Sequence, residues 1–335
     1  MTRPVVLVPA PIHQSGIDRL SEVFDVVQVD HLAISQQELD AALAESDAVI
    51  VRSAPITGAA MARSSRLKII AKHGAGLDSI DVAAATDLGI LVTDTGGSNA
   101  PSVAEHTVAL MLATLHDLPA VDRNVRAGAY SRPGQVVPGD LSGARVGLVG
   151  FGHIARRVAA ICRLGFGATI TALDPFVSKD EMAALGAEKT SDLCALLAEC
   201  DVVSLHTPLT PQTRHMIGAE QLKAMKPGAV LINTARGGVL DETALLQALN
   251  NGQLRGAGLD VLEEEPPRAG NPLFASDRVV LSPHIGGLSQ SARRATALAA
   301  AQAAIDVIEG RRPSHIVNPA ALGHARLAQE GPSSQ

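Results

Sequence analysis

In the first hundred residues, short β-branched apolar runs alternate with stretches whose apolar residues recur every three or four positions. The runs predict strands at Val5–Val8, Asp25–Asp30, Ala48–Ser53, Leu67–His73 and Ile90–Asp94. The helical spacing between them predicts helices around Ile17–Val23, Gln36–Ala44, Ala59–Arg63 and Val82–Leu88. Such alternation implies βαβ units and a parallel sheet covered on both faces. A long helix is expected from Ala100 to about Leu115 with Pro119 marking its end, then an irregular Gly- and Pro-rich loop over Arg126–Asp140. A second series begins at Ala144, with strands at Arg145–Gly150, Thr169–Asp174, Asp201–His206, Ala229–Ala235, Gly256–Val261 and Arg278–Ser282. The alanine-rich stretch Ser289–Glu309 reads as a helix that packs back on the first series. The pattern therefore predicts an α/β chain of two doubly wound parallel-sheet domains, residues 1–98 plus 288–335 and residues 99–287, with a cleft between them. The small, polar tail after Asn318 is expected to be poorly ordered.

Composition narrows the functional classes. At 335 residues the chain is too long for one ordinary core. A net charge of −6 gives no basic patch for nucleic acid or an anionic membrane, and the lack of tryptophan with a single tyrosine leaves little for stacking on bases. No stretch approaches the ~20 apolar residues that cross a bilayer, and the apolar run after Met1-Thr-Arg-Pro is too short for a signal peptide. Cys162, Cys194 and Cys200 sit in apolar helical contexts, where buried reduced thiols are the ordinary state. A soluble, cytoplasmic protein is expected.

The most specific local feature is Val146-Gly-Leu-Val-Gly150-Phe-Gly152-His-Ile-Ala155, a strand that turns on glycines into a helix. Gly150 permits the tight turn, Gly152 lets backbone approach a pyrophosphate, and Ala155 lets the helix pack closely. The helix N-terminus then offers unpaired N–H groups to phosphate. A glycine triplet alone also fits an ordinary strand–turn–helix. Asp174, ending the next apolar run where a carboxylate meets a ribose, favours a dinucleotide site.

Further residues stand at strand ends. His284 follows a strand in Ser282-Pro-His-Ile-Gly-Gly287, His206 ends another, and His73 precedes Gly74-Ala-Gly76. His106, inside an apolar helix, reads as a satisfied core or helix-packing histidine. No pair of histidines or cysteines has zinc-site spacing, so metal chemistry is not expected. Arg236, between Leu231–Ala235 and two glycines, could present its planar fork to a carboxylate, although its local context fits a surface loop equally well. Of Glu263, Glu264 and Glu265, at least two are expected on a solvated face.

Together these motifs resemble the D-isomer-specific 2-hydroxyacid dehydrogenase family, near its phosphoglycerate dehydrogenase and hydroxypyruvate reductase members. The resemblance runs from about Val49 to Pro319. It is carried by Gly74-Ala-Gly-Leu-Asp-Ser-Ile-Asp81, Ser102-Val-Ala-Glu-His-Thr107, the glycine turn, Leu205-His-Thr-Pro-Leu-Thr210, Asn233-Thr-Ala-Arg-Gly-Gly238, Leu259-Asp-Val-Leu-Glu-Glu-Glu-Pro-Pro267 and Ser282–Gly287. It implies a flavodoxin-like substrate domain, a Rossmann NAD-binding domain and a catalytic set of Arg236, Glu265 and His284. Arg236 would bind the substrate carboxylate and polarise the 2-keto oxygen, His284 would protonate that oxygen, and Glu265 would orient the ring. Ala75 and Gly76 would hold the carboxylate through their N–H groups, and Arg52 a terminal anionic group.

For the cofactor, the resemblance implies Gly150, Gly152, His153 and Ile154 at the pyrophosphate and Asp174 at the ribose. His206, Thr207 and Pro208 would line the adenosine side. Thr234, Asp260 and Gly286 would position the nicotinamide, with Ala235, His284 and Gly287 completing the contacts. Asp174-Pro-Phe176 has no adjacent arginine for a 2′-phosphate, which favours NAD over NADP. The implied activity is NAD-dependent hydride transfer with a small polar 2-hydroxy or 2-keto acid, 3-phosphoglycerate or glycerate/hydroxypyruvate foremost, in a homodimer.

Two departures weigh against serine biosynthesis specifically. The sequence after the core is too short for the regulatory domain that phosphoglycerate dehydrogenases often carry, and Ala75 stands where they often have a hydroxyl residue. An NAD(H)-sensing binding protein of the corepressor type is the alternative on the same fold. Formate dehydrogenases place an amide where Glu265 stands, which disfavours them.

Overall fold

Strands that are apolar on both sides need cover on both sides, and each sheet meets this with two hydrophobic clusters. The computed structural model describes residues 3–130 and 137–324. The chain divides into two units, residues 1–99 with 288–335, and residues 100–287.

The first unit holds β1 (Val5–Val8), α1 (Gln14–Ser21), β2 (Asp25–Gln28), α2 (Gln36–Ala44), β3 (Ala48–Val51), α3 (Gly58–Arg63), β4 (Ile69–Lys72), α4 (Val82–Asp87) and β5 (Leu91–Thr93). Its five strands are parallel in the order β2-β1-β3-β4-β5, the flavodoxin-like order. Side chains alternate between the faces, as a period of two requires. Val6, Ile50 and Ile69 join one cluster, whereas Leu7, Val49 and Ile70 join the other. Each is fully buried, so truncating one to alanine would cost about 2–5 kcal/mol. Ser35 and Glu38 form a reciprocal capping box that starts α2.

The second unit begins with α5 (Ala100–Leu115) and α6 (Leu118–Arg126). It continues through β6 (Arg145–Val149), α7 (His153–Phe166), β7 (Thr169–Leu173), α8 (Lys179–Ala184), β8 (Ala187–Thr190), α9 (Leu193–Glu199) and β9 (Val202–Leu205). It closes with α10 (Ala219–Ala224), β10 (Ala229–Asn233), α11 (Glu242–Asn250), β11 (Leu254–Leu259) and β12 (Val279–Leu281). The parallel order is β12-β11-β10-β9-β6-β7-β8, reversing direction beside β6 at the point where open α/β sheets bind ligands. Finally α12 (Gln290–Ile308) returns to the first unit and packs on α1. The approach is close, since a Cβ on Gly16 would lie 2.8 Å from that of Ala297.

Several expectations are corrected. Pro119 does not simply end α5. The chain turns at Asp117, which has φ 51°, and Pro119 then sits in the first turn of a second helix, where its missing N–H costs nothing. Strand β8 was not expected; as a sheet edge it carries only one buried residue, Ala187. Cys194 is exposed, whereas burial pushes the Cys162 and Cys200 thiols up to about 11. Of the expected loop over Arg126–Asp140, residues 131–136 lie outside the described residues, as does the tail from 325. Among the described residues no helix is long and apolar enough to cross a membrane.

Candidate active site

Strand β6 ends in a turn that only glycine can make. Gly150 has φ 95°, and a Cβ there would lie 2.7 Å from the His206 carbonyl oxygen. Gly152 caps α7 without a side chain and faces open space, so the first-turn N–H groups beyond it, at His153 and Ile154, have no side-chain acceptor. Ala155 is fully buried against the sheet. Asp174 closes the turn from the neighbouring strand: Oδ2 accepts from Phe151 N and Oδ1 from Phe176 N, both at 2.8 Å. Each oxygen keeps a second lone pair for a hydroxyl donor.

Across the turn, His206 N donates to Val149 O at 2.7 Å. His206 Nε2 and Thr207 Oγ1 are buried without a hydrogen-bond partner, and burial pushes the His206 imidazole down to about 4. Pro208 follows, exposed. Open glycine backbone, a helix N-terminus and two orphaned polar atoms at one switch point fit a bound dinucleotide.

The ends of β10, β11 and β12 form the second half of the site. Asn233, fully buried, accepts from Ala235 N at 3.0 Å and donates to Arg236 O at 2.9 Å, which shapes the turn bearing Arg236. Arg236 Nη1 donates to Ala235 O at 2.6 Å. Thr234 Oγ1 meets Thr107 Oγ1 of α5 at 2.9 Å.

Glu265 and His284 are brought together by two loops, with Oε2 2.7 Å from Nδ1. Glu265 Oε1 also accepts from Leu262 N at 3.1 Å. Burial pushes the Glu265 carboxyl up, but the His284 hydrogen bond and charge, the Leu262 N–H and the Arg236 charge outweigh it and hold it below the ordinary carboxylate value. The other glutamates are engaged elsewhere: Glu264 pairs with Arg268 at 2.6 Å, and Glu263 lies 3.1 Å from His215 Nε2. A cavity of ≈ 380 Å³ opens beside the pair, lined among others by Asp260, Leu262, Phe274 and Leu281.

His284 has left-handed backbone (φ 54°), and Asp260 holds it there. The Asp260 carbonyl accepts from His284 N at 2.7 Å, while its carboxylate takes Ile285 N at 2.9 Å and Gly286 N at 2.8 Å. Gly287 follows at the end of this loop, half-buried. Ser282 Oγ adds a third donor to the carboxylate at 2.6 Å, and His106 Nε2 lies 3.2 Å from it. Burial pushes the Asp260 carboxyl up, but these four donors hold it below its ordinary value.

His106 is satisfied, as a core or helix-packing histidine would be, but its partners Ser282 and Asp260 belong to the site. Asn233, Ser282, Ser102 and Thr107 also support it without having been singled out from sequence. Spacing held one usable clue. Ser102 and His106 are four residues apart and so share a face of α5; Ser102 Oγ donates to Gly286 O at 2.6 Å.

In the first unit, Arg52 follows β3 and Ala75 and Gly76 follow β4, at neighbouring strand ends. Gly74 (φ 130°) turns the chain there, and Arg52 O accepts from the buried Lys72 ammonium at 2.6 Å. Burial pushes the nearby His73 imidazole down to about 4, with Arg52 and Lys72 adding to the fall.

Residues 108–286 match the family model described as D-isomer specific 2-hydroxyacid dehydrogenase, NAD binding domain. The D-3-phosphoglycerate dehydrogenase of Methanocaldococcus jannaschii is 36% identical over 328 residues, covering 98% of this chain and 62% of the relative. That of Mycobacterium bovis is 41% identical over 317 residues, covering 93% and 57%. The chain thus spans about three fifths of the length of these curated relatives. A crystal structure of a Thermus thermophilus protein superposes with a TM-score of 0.86 at 37% identity, covering 93% of this chain and 99% of that one.

Proposed function

This chain belongs to the D-isomer specific 2-hydroxyacid dehydrogenase family, and on that premise we propose that it transfers hydride between NAD(H) and a small polar 2-hydroxy or 2-keto acid. The observation that carries the reading is the 2.7 Å bond between Glu265 and His284, with the Arg236 charge near enough to act on Glu265. A carboxylate on Nδ1 leaves Nε2 to move a proton at the substrate oxygen.

NAD, when bound, supplies or accepts the hydride. The first turn of α7, with Gly150, Gly152, His153 and Ile154, receives its pyrophosphate. Asp174 takes the ribose hydroxyls, and His206, Thr207 and Pro208 line the adenosine. Thr234, Ala235, Asp260, Gly286 and Gly287 face the nicotinamide. Arg236 binds the substrate carboxylate with its planar fork and polarises the 2-keto oxygen. During reduction His284 gives that oxygen its proton, and during oxidation the neutral ring takes it back. Glu265 orients the ring through the bond to Nδ1. In the first unit, Ala75 and Gly76 offer N–H groups to the carboxylate, and Arg52 a cation to a distal anionic group, which fits 3-phosphoglycerate or glycerate/hydroxypyruvate.

We further propose a cytoplasmic homodimer. Helix α6 has no buried residue, and Leu118 and Val125 on it are 57% and 50% exposed, an apolar stripe that a second copy would cover.

The test is NADH oxidation with hydroxypyruvate, glyoxylate and phosphohydroxypyruvate, and NAD reduction with their hydroxy acids. Turnover with one or more supports the reading. Tight NADH binding without turnover of any 2-keto acid would leave a dinucleotide-sensing protein instead.

A further inference from the structure

We infer that His106 is a positioning residue of this site: through Ser282 and Asp260 it fixes the loop that holds His284 in line with Glu265. The inference rests on the reading of His284 as the proton-transferring group.

The geometry is a chain of hydrogen bonds ending at the His284 backbone. Ser282 Oγ gives its hydrogen to Asp260 Oδ1 at 2.6 Å, so its oxygen is left to accept, and His106 Nε2 lies 2.8 Å from it. The same nitrogen is 3.2 Å from Asp260 Oδ1. Asp260 in turn takes the N–H groups of His284, Ile285 and Gly286. Its carboxylate is 2% exposed, so no solvent replaces a lost donor, and an unmatched oxygen there is costly. Internal donors occupy Oδ1 fully, whereas Oδ2 takes only Gly286 N and keeps one acceptor site.

Helix and loop are also in direct contact. A Cβ on Gly286 would lie 3.0 Å from Asp260 Oδ2 and 3.3 Å from His106 Cδ2. Ser102, one turn before His106, grips the carbonyl of the same glycine. Helix α5 thus acts as a fixed bar against which the left-handed His284 is set. Loss of the imidazole frees Ser282, relaxes the Asp260 carboxylate and lets the His284 loop sample other backbone angles. The effect should fall on the chemical step more than on substrate affinity, because no atom of His106 is assigned to substrate or cofactor.

The experiment compares His106→Leu, which removes the donor at similar volume, with His106→Gln, whose amide nitrogen can replace Nε2, and with Ser282→Ala. His106→Leu should lower kcat for 2-keto acid reduction about tenfold to hundredfold, the loss of one hydrogen bond to a charged group. KM should change far less than kcat, Ser282→Ala should fall in the same direction, and His106→Gln should recover most of the loss. An unchanged kcat in His106→Leu, or equal losses in the Leu and Gln variants accompanied by a lower Tm, would overturn the inference. If His106→Leu does not fold, the Gln and Ser282→Ala variants decide it by the same criteria.

A second readout needs no turnover. The His284 ring resonances in the NMR spectrum should move in His106→Leu and stay near their wild-type positions in His106→Gln. Unmoved resonances overturn the positioning role whatever the kinetics show. Failure of the wild-type protein to reduce any 2-keto acid overturns the proposed activity and leaves the NMR result to judge the coupling.

Discussion

Gly237 lies flat against the Leu262 peptide, so closely that a methyl group on it would overlap the Leu262 carbonyl. This contact joins the turn bearing Arg236 to the loop bearing Glu265, and both chains are already constrained. Asn233 shapes one, and the Leu262 N–H bond to Glu265 shapes the other. Gly237→Ala must therefore separate them. It is expected to lower kcat/KM about a hundredfold, the scale of a 1 Å misplacement, with a fall in Tm measured by calorimetry. Wild-type kcat/KM would show that the spacing of the two loops is not critical.

Arg236→Ala removes the proposed grip on the substrate carboxylate and the polarisation of the carbonyl. A loss of roughly a thousandfold in kcat/KM is expected, comparable to removing a transition-state donor. Arg236→Lys should recover little, since an ammonium lacks the planar fork. Near-normal steady-state kinetics in Arg236→Ala would remove it from the mechanism.

The proposed role of Glu265 has a pH signature and a kinetic one. Glu265 has a lowered folded value, so its stabilising contribution is present above the ordinary carboxylate value of 4.5 and is lost as pH falls through the lower folded one. It is thus anionic throughout the neutral range, where it can hold the His284 ring through Nδ1. Glu265→Gln removes that charge, so this acid-side loss of stability should disappear. In the same variant kcat for 2-keto acid reduction should fall about tenfold or more, the scale of one hydrogen bond to a charged group. An unchanged kcat with an unchanged acid limb of stability would make Glu265 part of the solvated acidic run.

Asp174 has two tasks in the account, and they predict different outcomes. Its bonds to Phe151 N and Phe176 N brace the glycine turn, which serves NAD and NADP alike. Its free lone pairs would serve the ribose hydroxyls of NAD in the proposed function. Fluorescence titration of Asp174→Ala should show NADH weakened about tenfold or more, the scale of a charged hydrogen bond, and NADPH weakened much less. Equal losses would leave only the bracing role.

What the sequence made legible follows from burial. Val5–Val8 and Ala48–Val51 read as strands because sheets covered on both faces require unbroken apolar runs. Strand β8, Ala187-Glu-Lys-Thr190, escaped because an edge strand needs no such run. Pro119 misled because a proline can end one helix or begin the next, and only the reversal at Asp117 decides between them. In the site, the glycine turn and Asp174 were visible from local mechanics. No spacing rule leads from Glu265 to His284, and the family resemblance alone selected that glutamate from three. His106 lay beyond both, because its partners Asp260 and Ser282 come from the ends of strands distant in sequence, and a shared helix face with Ser102 names no partner.

In the proposed reaction, hydride passes between nicotinamide and the 2-position of a keto acid at the Arg236, Glu265 and His284 site. The most direct measurement follows deuterium from NADH labelled at C4 into the product of 2-keto acid reduction by mass spectrometry and NMR. One deuterium is expected on C2 of a 2-hydroxy acid, delivered from a single face of the nicotinamide, and is expected to be lost in His284→Ala. No labelled hydroxy acid from hydroxypyruvate, glyoxylate or phosphohydroxypyruvate, with NADH demonstrably bound, would contradict it.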